Sequence, residues 1–222
     1  MKYDLENINA RFGIGSQKWQ DMKNNPLVDE KVIPFSVADM EFKLAPEITE
    51  GLKKFIDDNI LGYAGTNKKY RESVCKWQQK HHDFTVDEKW LVETHSVVNA
   101  FFTAVKAFTQ KGDGVMLFTP VYYPMYKAIE INQRKLVEIP LINNGMTYDI
   151  DWDLFTKKAK AIDTKMLILC SPHNPCGRIW TREELTKISE ICLANDILVV
   201  ADEIHADLIM PGFKHVSYGT IS

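Results

Sequence analysis

The sequence predicts an α/β fold, a three-layer arrangement in which a mostly parallel central sheet lies between helices. Three observations carry this expectation. Four short apolar runs, Val115 to Phe118, Leu136 to Ile139, Met166 to Cys170 and Leu198 to Ala201, are continuous rather than alternating, the pattern of strands covered on both faces. Stretches with helical spacing of apolar residues separate them. The last of these stretches opens on Thr181 with Glu184 three residues on, a capping-box signature.

Taken in order, residues 1–45 carry Gly13, Gly15, Pro26 and Pro34 without sustained periodicity. They are expected to form an N-terminal arm and a segment of a smaller domain, with residues 46–222 forming an incomplete large domain. Pro46 suits a first helical turn, and Ile48, Leu52, Phe55 and Ile56 follow at helical spacing. Tyr70, Val74, Trp77 and His81 mark a second helix, whose closing His81-His82 pair reads as solvated. Ser96 is placed to cap a third helix running towards Gln110. Gly13-Ile14-Gly15 and Gly112-Asp113-Gly114 lack the remaining spacing of a dinucleotide fingerprint and read as turns.

Composition narrows the function classes. Of 222 residues 45% are hydrophobic, ample for a core, so disordered and low-complexity readings drop out. Lys and Arg total 27 against 30 Asp and Glu, a net charge of −3; no basic field exists to hold nucleic acid or an anionic membrane. The apolar runs are too short for a membrane span, and the charged start from Met1 to Glu6 contains no signal-peptide core. A soluble, cytoplasmic protein is expected. Cys75, Cys170, Cys176 and Cys192 show no CxxC spacing, Cys170 and Cys192 read as small core residues, and Cys170/His173/Cys176 is not a zinc pattern. No metal is expected. The acidic Asp202-Glu203 pair has no phosphate-binding GxxxxGK[ST] loop upstream, and no GxSxG elbow is present.

Ligands of parallel α/β sheets bind beyond the carboxyl ends of the strands, so the polar residues after each run draw attention: Thr94-His95-Ser96, Thr119 to Tyr122, Ser171 to Asn174, and Asp202 to His205. The helix opening at Ser96 offers free backbone N–H groups to a phosphate. Singly, each residue has a plainer use. Asp202 can cap a turn, Tyr122 can be a core aromatic, and Asn174-Pro175 is a turn dipeptide.

In order, these segments are familiar. Ser171-Pro-His-Asn-Pro-Cys-Gly-Arg-Ile-Trp-Thr-Arg-Glu-Glu-Leu185 resembles the Asn-Pro-Thr-Gly segment of fold-type I pyridoxal-phosphate enzymes, with Cys176 where the family often has Thr. Thr119-Pro-Val-Tyr122 and Ala201-Asp-Glu-Ile-His205 resemble two further signatures of that group. Ser36-Val-Ala-Asp-Met-Glu-Phe42 is similar to the branch of the class I/II aminotransferase superfamily that contains the cystathionine β-lyases.

The resemblance implies pyridoxal 5′-phosphate as cofactor, an electron sink that the protein holds and tunes. It implies Asp202 on the ring nitrogen, Asn174 on the phenolic oxygen, Tyr122 against the ring face, Val97 and Val98 N–H groups on the phosphate, and His205 close by. It also implies that Tyr63, in Gly62-Tyr-Ala-Gly65, reaches the phosphate of a neighbouring subunit in a homodimer with shared active sites, and that Ala38 lies near the substrate carboxylate. The implied activity is cleavage of cystathionine or a related cysteine S-conjugate to pyruvate, ammonia and a thiol. An aminotransferase of the same fold is the nearest alternative, and a lysine-less regulatory or binding module a second. The family's catalytic lysine belongs to a Ser-Lys segment after the aspartate, and none occurs before Ser222. Lys214, the only lysine after Asp202, matches no such motif and reads as solvated. The chain is therefore expected to be the N-terminal half of a longer enzyme and inactive by itself.

Overall fold

The computed structural model describes residues 3–28 and 32–221, and the chain divides into two compact units, Met1–Gly65 and Thr66–Ser222. The first unit holds helices α1 (Gln17–Lys23) and α2 (Pro46–Asp58). A turn that places Gly13 at φ +75° and Gly15 at φ +84°, conformations open to glycine, leads into α1. Helix α1 buries Lys18 and Trp19. Helix α2 opens on its proline as expected, but no residue of it is buried: Ile48, Leu52, Phe55 and Ile56 are all more than half exposed. Spacing aligns these four side chains; it does not supply a neighbour to cover them.

The second unit contains α3 (Lys68–His82), α4 (Val97–Phe108), α5 (Tyr123–Ile131), α6 (Trp152–Ala159) and α7 (Arg182–Ala194). Its strands are β1 (Gly114–Thr119), β2 (Lys135–Pro140), β5 (Thr164–Cys170) and β6 (Leu198–Asp202), with a short hairpin of β3 (Ile142–Asn143) and β4 (Tyr148–Asp149) between β2 and α6. The main sheet has the order β2-β1-β5-β6 and is parallel throughout. All four apolar runs are strands.

Successive strand residues point to opposite faces, and here both faces are cores. Val115 and Leu117 of β1, with Met166 and Ile168 of β5, pack with Phe101, Val105, Met125 and Ile129 from α4 and α5. Met116 and Phe118, with Leu167 and Leu169, pack on the other side with Phe155, Leu185 and Ile188 from α6 and α7. A strand buried on both sides admits no polar alternation, which is why β1 and β5 read as unbroken apolar runs. Each fully buried side chain of this size contributes about 1.5–3 kcal/mol. The edge strands β2 and β6 are covered less completely, and Leu136 and Leu198 stay exposed.

The connection from β1 to β2 carries α5 on one face; those from β2 to β5 and β5 to β6 carry α6 and α7 on the other while travelling the opposite way. A single handedness of crossover requires that exchange of face with direction. Beyond β1 and β5 the chain therefore departs to opposite faces, leaving the crevice where such sheets bind ligands.

One local expectation is corrected. His82 is not solvated: it is buried, with Nε2 2.7 Å from Asp207 Oδ1 and its ring edge-on to His215. The segment after β6 folds back over the end of α3, a contact between residues more than a hundred apart that helical periodicity cannot reveal. His81 remains exposed and stacks on Trp77. Among the described residues no helix is long and apolar enough to cross a membrane.

Candidate active site

The carboxyl edge of the sheet collects the polar segments. Ser96 caps α4, its Oγ accepting the Asn99 N–H at 3.1 Å. The first N–H groups of the helix, those of Val97 and Val98, have no partner in the preceding turn. Helix α4 spans about 18 Å and β1 about 20 Å. Residues 109–113 reverse the chain between them. The start of α4 is thereby returned to the edge where β1 ends.

After β1, Tyr122 stands at the N-cap of α5, half-buried, its ring edge-on to Tyr123. Burial pushes its phenol pKa up, and the charges of Tyr123 and Asp202 add to the effect. Tyr122 and Asp202, eighty residues apart in sequence, thus sense each other electrostatically.

After β5 the loop turns back on itself. The His173 N–H donates to the Arg178 carbonyl (2.7 Å), the Gly177 N–H to the His173 carbonyl (2.8 Å), and the Asn174 N–H to Cys170 Sγ (3.4 Å). Gly177 occupies φ +65° within this turn. Trp180 lies beneath it, its indole N–H donating to the Cys170 carbonyl at 2.9 Å. The Arg178 guanidinium packs over the Trp180 ring and bonds Glu184 and the Tyr148 carbonyl. Glu184 also completes the capping box with Thr181. The peptide bonds before Pro120, Pro172 and Pro175 are cis.

After β6, Asp202 is 6% exposed. Its Oδ1 accepts the Ile204 N–H at 3.2 Å, and among the described residues no cation forms an ion pair with it. Burial raises its pKa; the Ile204 bond and the nearby His205 only partly oppose this. The neighbouring Glu203 turns away to accept bonds from Ser217 Oγ and the Tyr218 N–H.

The structure therefore brings Tyr122 towards Asp202, and lines a cavity of about 620 Å³ with both Asn174 and His205, together with Pro172, Leu208, Met210 and Phe213. Tyr122 and Asp202 do not line that cavity. Tyr63 and Ala38 belong to the first unit, where both are exposed. Lys214 is exposed and paired with Asp83 at 2.6 Å. Among the described residues no cluster of three or more His, Cys, Asp or Glu is placed to hold a metal.

This arrangement offers an unpaired buried carboxylate, an amide, an aromatic face and a helix start with open N–H groups. Such a donor set suits a flat ligand that is protonated at one end and anionic at the other. His173, Arg178, Trp180 and Glu184 support the site. Glu184 was legible as the capping-box partner of Thr181 and His173 as a polar residue after a strand, but their supporting bonds were not; for Arg178 and Trp180 the sequence signal is the Gly-Arg-Ile-Trp continuation of the Asn174 segment.

A family model described as aminotransferase class I and II matches residues 30–221. The chain is similar to the cystathionine beta-lyase PatB of Bacillus subtilis, 39% identical over 212 residues, which cover 96% of this chain and 54% of that protein. Cystalysin of Treponema denticola, solved with a pyridoxal 5′-phosphate cofactor, matches with a TM-score of 0.97 and 45% identity over 100% of this chain and 57% of that one. The pyridoxal-phosphate-bound C–S lyase of Staphylococcus hominis matches with a TM-score of 0.89 and 30% identity over 97% and 55%. The chain spans about half the length of these relatives.

Proposed function

The chain belongs to the aminotransferase class I and II family, and on that premise we propose that it forms the cofactor-cradling part of a pyridoxal-phosphate-dependent C–S β-lyase. The observation that carries the reading is Asp202, a carboxylate buried at a strand end with no ion-pair partner among the described residues. Its bond from the Ile204 N–H at 3.2 Å does not offset the burial; a buried carboxylate stays costly until it is paired, and a protonated pyridine nitrogen is such a partner. When bound, the cofactor supplies an electron sink for the carbanion at the substrate Cα.

The residues of this chain hold and orient. Asp202 would hold the proton on the cofactor's ring nitrogen, Asn174 would donate to its phenolic oxygen, and Tyr122 would supply an aromatic face to the ring. The Val97 and Val98 N–H groups would take its phosphate, and His205 would complete the surroundings. Tyr63 serves the phosphate site of a partner subunit in a homodimer, and Ala38 lies at the substrate carboxylate. Lys214, exposed and ion-paired, does not move the Cα proton. The reading carries with it a cytoplasmic enzyme whose residues 1–45 are an arm and small-domain segment and whose residues 46–222 belong to the large domain. Similarity to named C–S lyases favours β-elimination over amino transfer.

The test is product analysis with the full-length protein, cystathionine and an S-substituted cysteine. Pyruvate, ammonia and thiol in equal amounts are expected without any keto-acid acceptor. Turnover that requires such an acceptor would replace the lyase with an aminotransferase, and failure to bind the cofactor would leave a binding module.

A further inference from the structure

In the first unit, Val37 adopts φ +67°, a conformation that costs a β-branched residue about 1–2 kcal/mol. Packing does not compensate, since Val37 is 72% exposed. The Asp39 N–H donates to the Val37 carbonyl at 2.9 Å, making Ala38 the middle of a three-residue turn. The Ala38 N–H has no acceptor among the described residues, and the residue is exposed.

A charged clamp holds this turn. Arg11 Nη2 bonds the Asp39 carboxylate at 2.5 Å and the Glu41 carboxylate at 2.8 Å. Lys18, 4% exposed on α1, bonds the Asp39 carbonyl and Glu41 Oε2, the latter at 3.0 Å. Glu41 Oε1 also accepts the Trp19 indole N–H at 2.9 Å, and the Glu41 carbonyl accepts the backbone N–H of Asn9 at 3.1 Å and its side-chain Nδ2–H at 2.8 Å. Two cations and two anions thus grip the residues immediately after Ala38, and Glu41 is the point where they meet. Held strain of this kind at an exposed turn persists only where surrounding contacts over-determine it, and such places are commonly functional.

We propose that Glu41, acting with Lys18 and Arg11, is a positioning residue that fixes the turn at Ala38 so that its free N–H receives the substrate carboxylate. The proposal rests on the C–S lyase reading, in which Ala38 lies at that carboxylate. Glu41 touches no substrate; it acts through the backbone of residues 37–39.

The experiment uses the full-length holoenzyme and compares an unreactive amino-acid analogue with the corresponding amine lacking the carboxylate, each titrated by the cofactor's absorbance. Glu41→Gln is expected to lower the preference for the carboxylate-bearing ligand about tenfold and to raise KM for the amino-acid substrate by a similar factor. kcat and amine binding stay close to wild type. Glu41→Gln leaves Lys18 buried without its carboxylate, so the double variant Lys18→Met with Glu41→Gln, which removes that charge, is measured beside it; the same loss of preference is expected. An unchanged preference in either folded variant overturns the proposal and leaves the lyase reading intact. Equal loss of amine and amino-acid binding also overturns it, since that is damage to the fold. A wild-type enzyme with no preference for the carboxylate overturns the underlying reading itself.

Discussion

His173 Nε2 lies 2.8 Å from the Pro120 carbonyl oxygen, joining the loop after β5 to the loop after β1. The carbonyl only accepts, so Nε2 carries the proton. The ladder between β1 and β5 runs only from Gly114↔Thr164 to Met116↔Leu167, whereas β5 and β6 stay paired to Cys170↔Asp202. The imidazole therefore spans the part of the crevice where the sheet no longer does. Tyr122 follows Pro120 by two residues and Asn174 follows His173 directly, so the bond ties together the two loops that carry them.

Replacing His173 by Phe keeps the bulk and leaves the Pro120 carbonyl only the weak Cys176 thiol donor at 3.9 Å. A destabilisation of about 1–3 kcal/mol is expected, with cofactor affinity reduced about tenfold as Tyr122 and Asn174 lose their common tie. Burial holds the imidazole pKa below its usual 6.5, so the fold favours the neutral ring. Stability should fall as pH drops below 6.5, because the unfolded chain then binds the proton more readily. Urea denaturation at pH 7.5 and 5.5 checks this; an equally steep loss in His173→Phe would refute it.

Asp202→Asn should separate stability from binding. The folded pKa of Asp202 is raised above the ordinary 3.8, so the ionised carboxylate costs the cofactor-free protein stability, increasingly as pH rises from 3.8 through the raised value. The amide keeps an oxygen for the Ile204 N–H and carries no charge. At pH 7 the cofactor-free variant should be about 1–2 kcal/mol more stable, while cofactor affinity falls about a hundredfold. Paired denaturation and cofactor titration decide; a less stable apo variant would mean that Asp202 is already compensated.

Glu41 has the opposite sign. Its bonds from Trp19, Lys18 and Arg11 lower its pKa from 4.5 to about 2. The stabilisation is complete above pH 4.5 and is lost as pH falls from 4.5 towards 2, when the folded form must also take the proton. The indole N–H resonance of Trp19, followed by NMR across this range, should move with that midpoint. In Glu41→Gln the movement should vanish, and a wild-type midpoint near 4.5 would show that the clamp does not hold the charge.

The elements legible in the sequence are those set by neighbours along the chain. Ser96 and Thr181 cap helices through bonds to the residue three further on, so a four-residue window contains the whole interaction. The runs in β1 and β5 announced helices on both faces because each alternate residue meets a different apolar layer. Asp202, Asn174, Tyr122 and His205 stood out because they follow such runs, where ligands of parallel sheets bind.

What supports those residues was not legible. His173 looked like part of a poor zinc spacing, and its bond to Pro120 spans 53 residues. His82 closed a charged helix and still became buried against Asp207. The apolar positions of α2 kept their spacing and found no cover in their unit, while Lys18, an ordinary surface residue by type, was buried by Glu41 and Asp39. Sequence by itself determined the strands, the caps and the sheet edge where a ligand belongs, because local hydrogen bonding and period-two burial need no distant partner. Tertiary structure alone decided which charges are paired, which histidine is neutral and which turn is strained, because each depends on a group that the chain brings near only once folded.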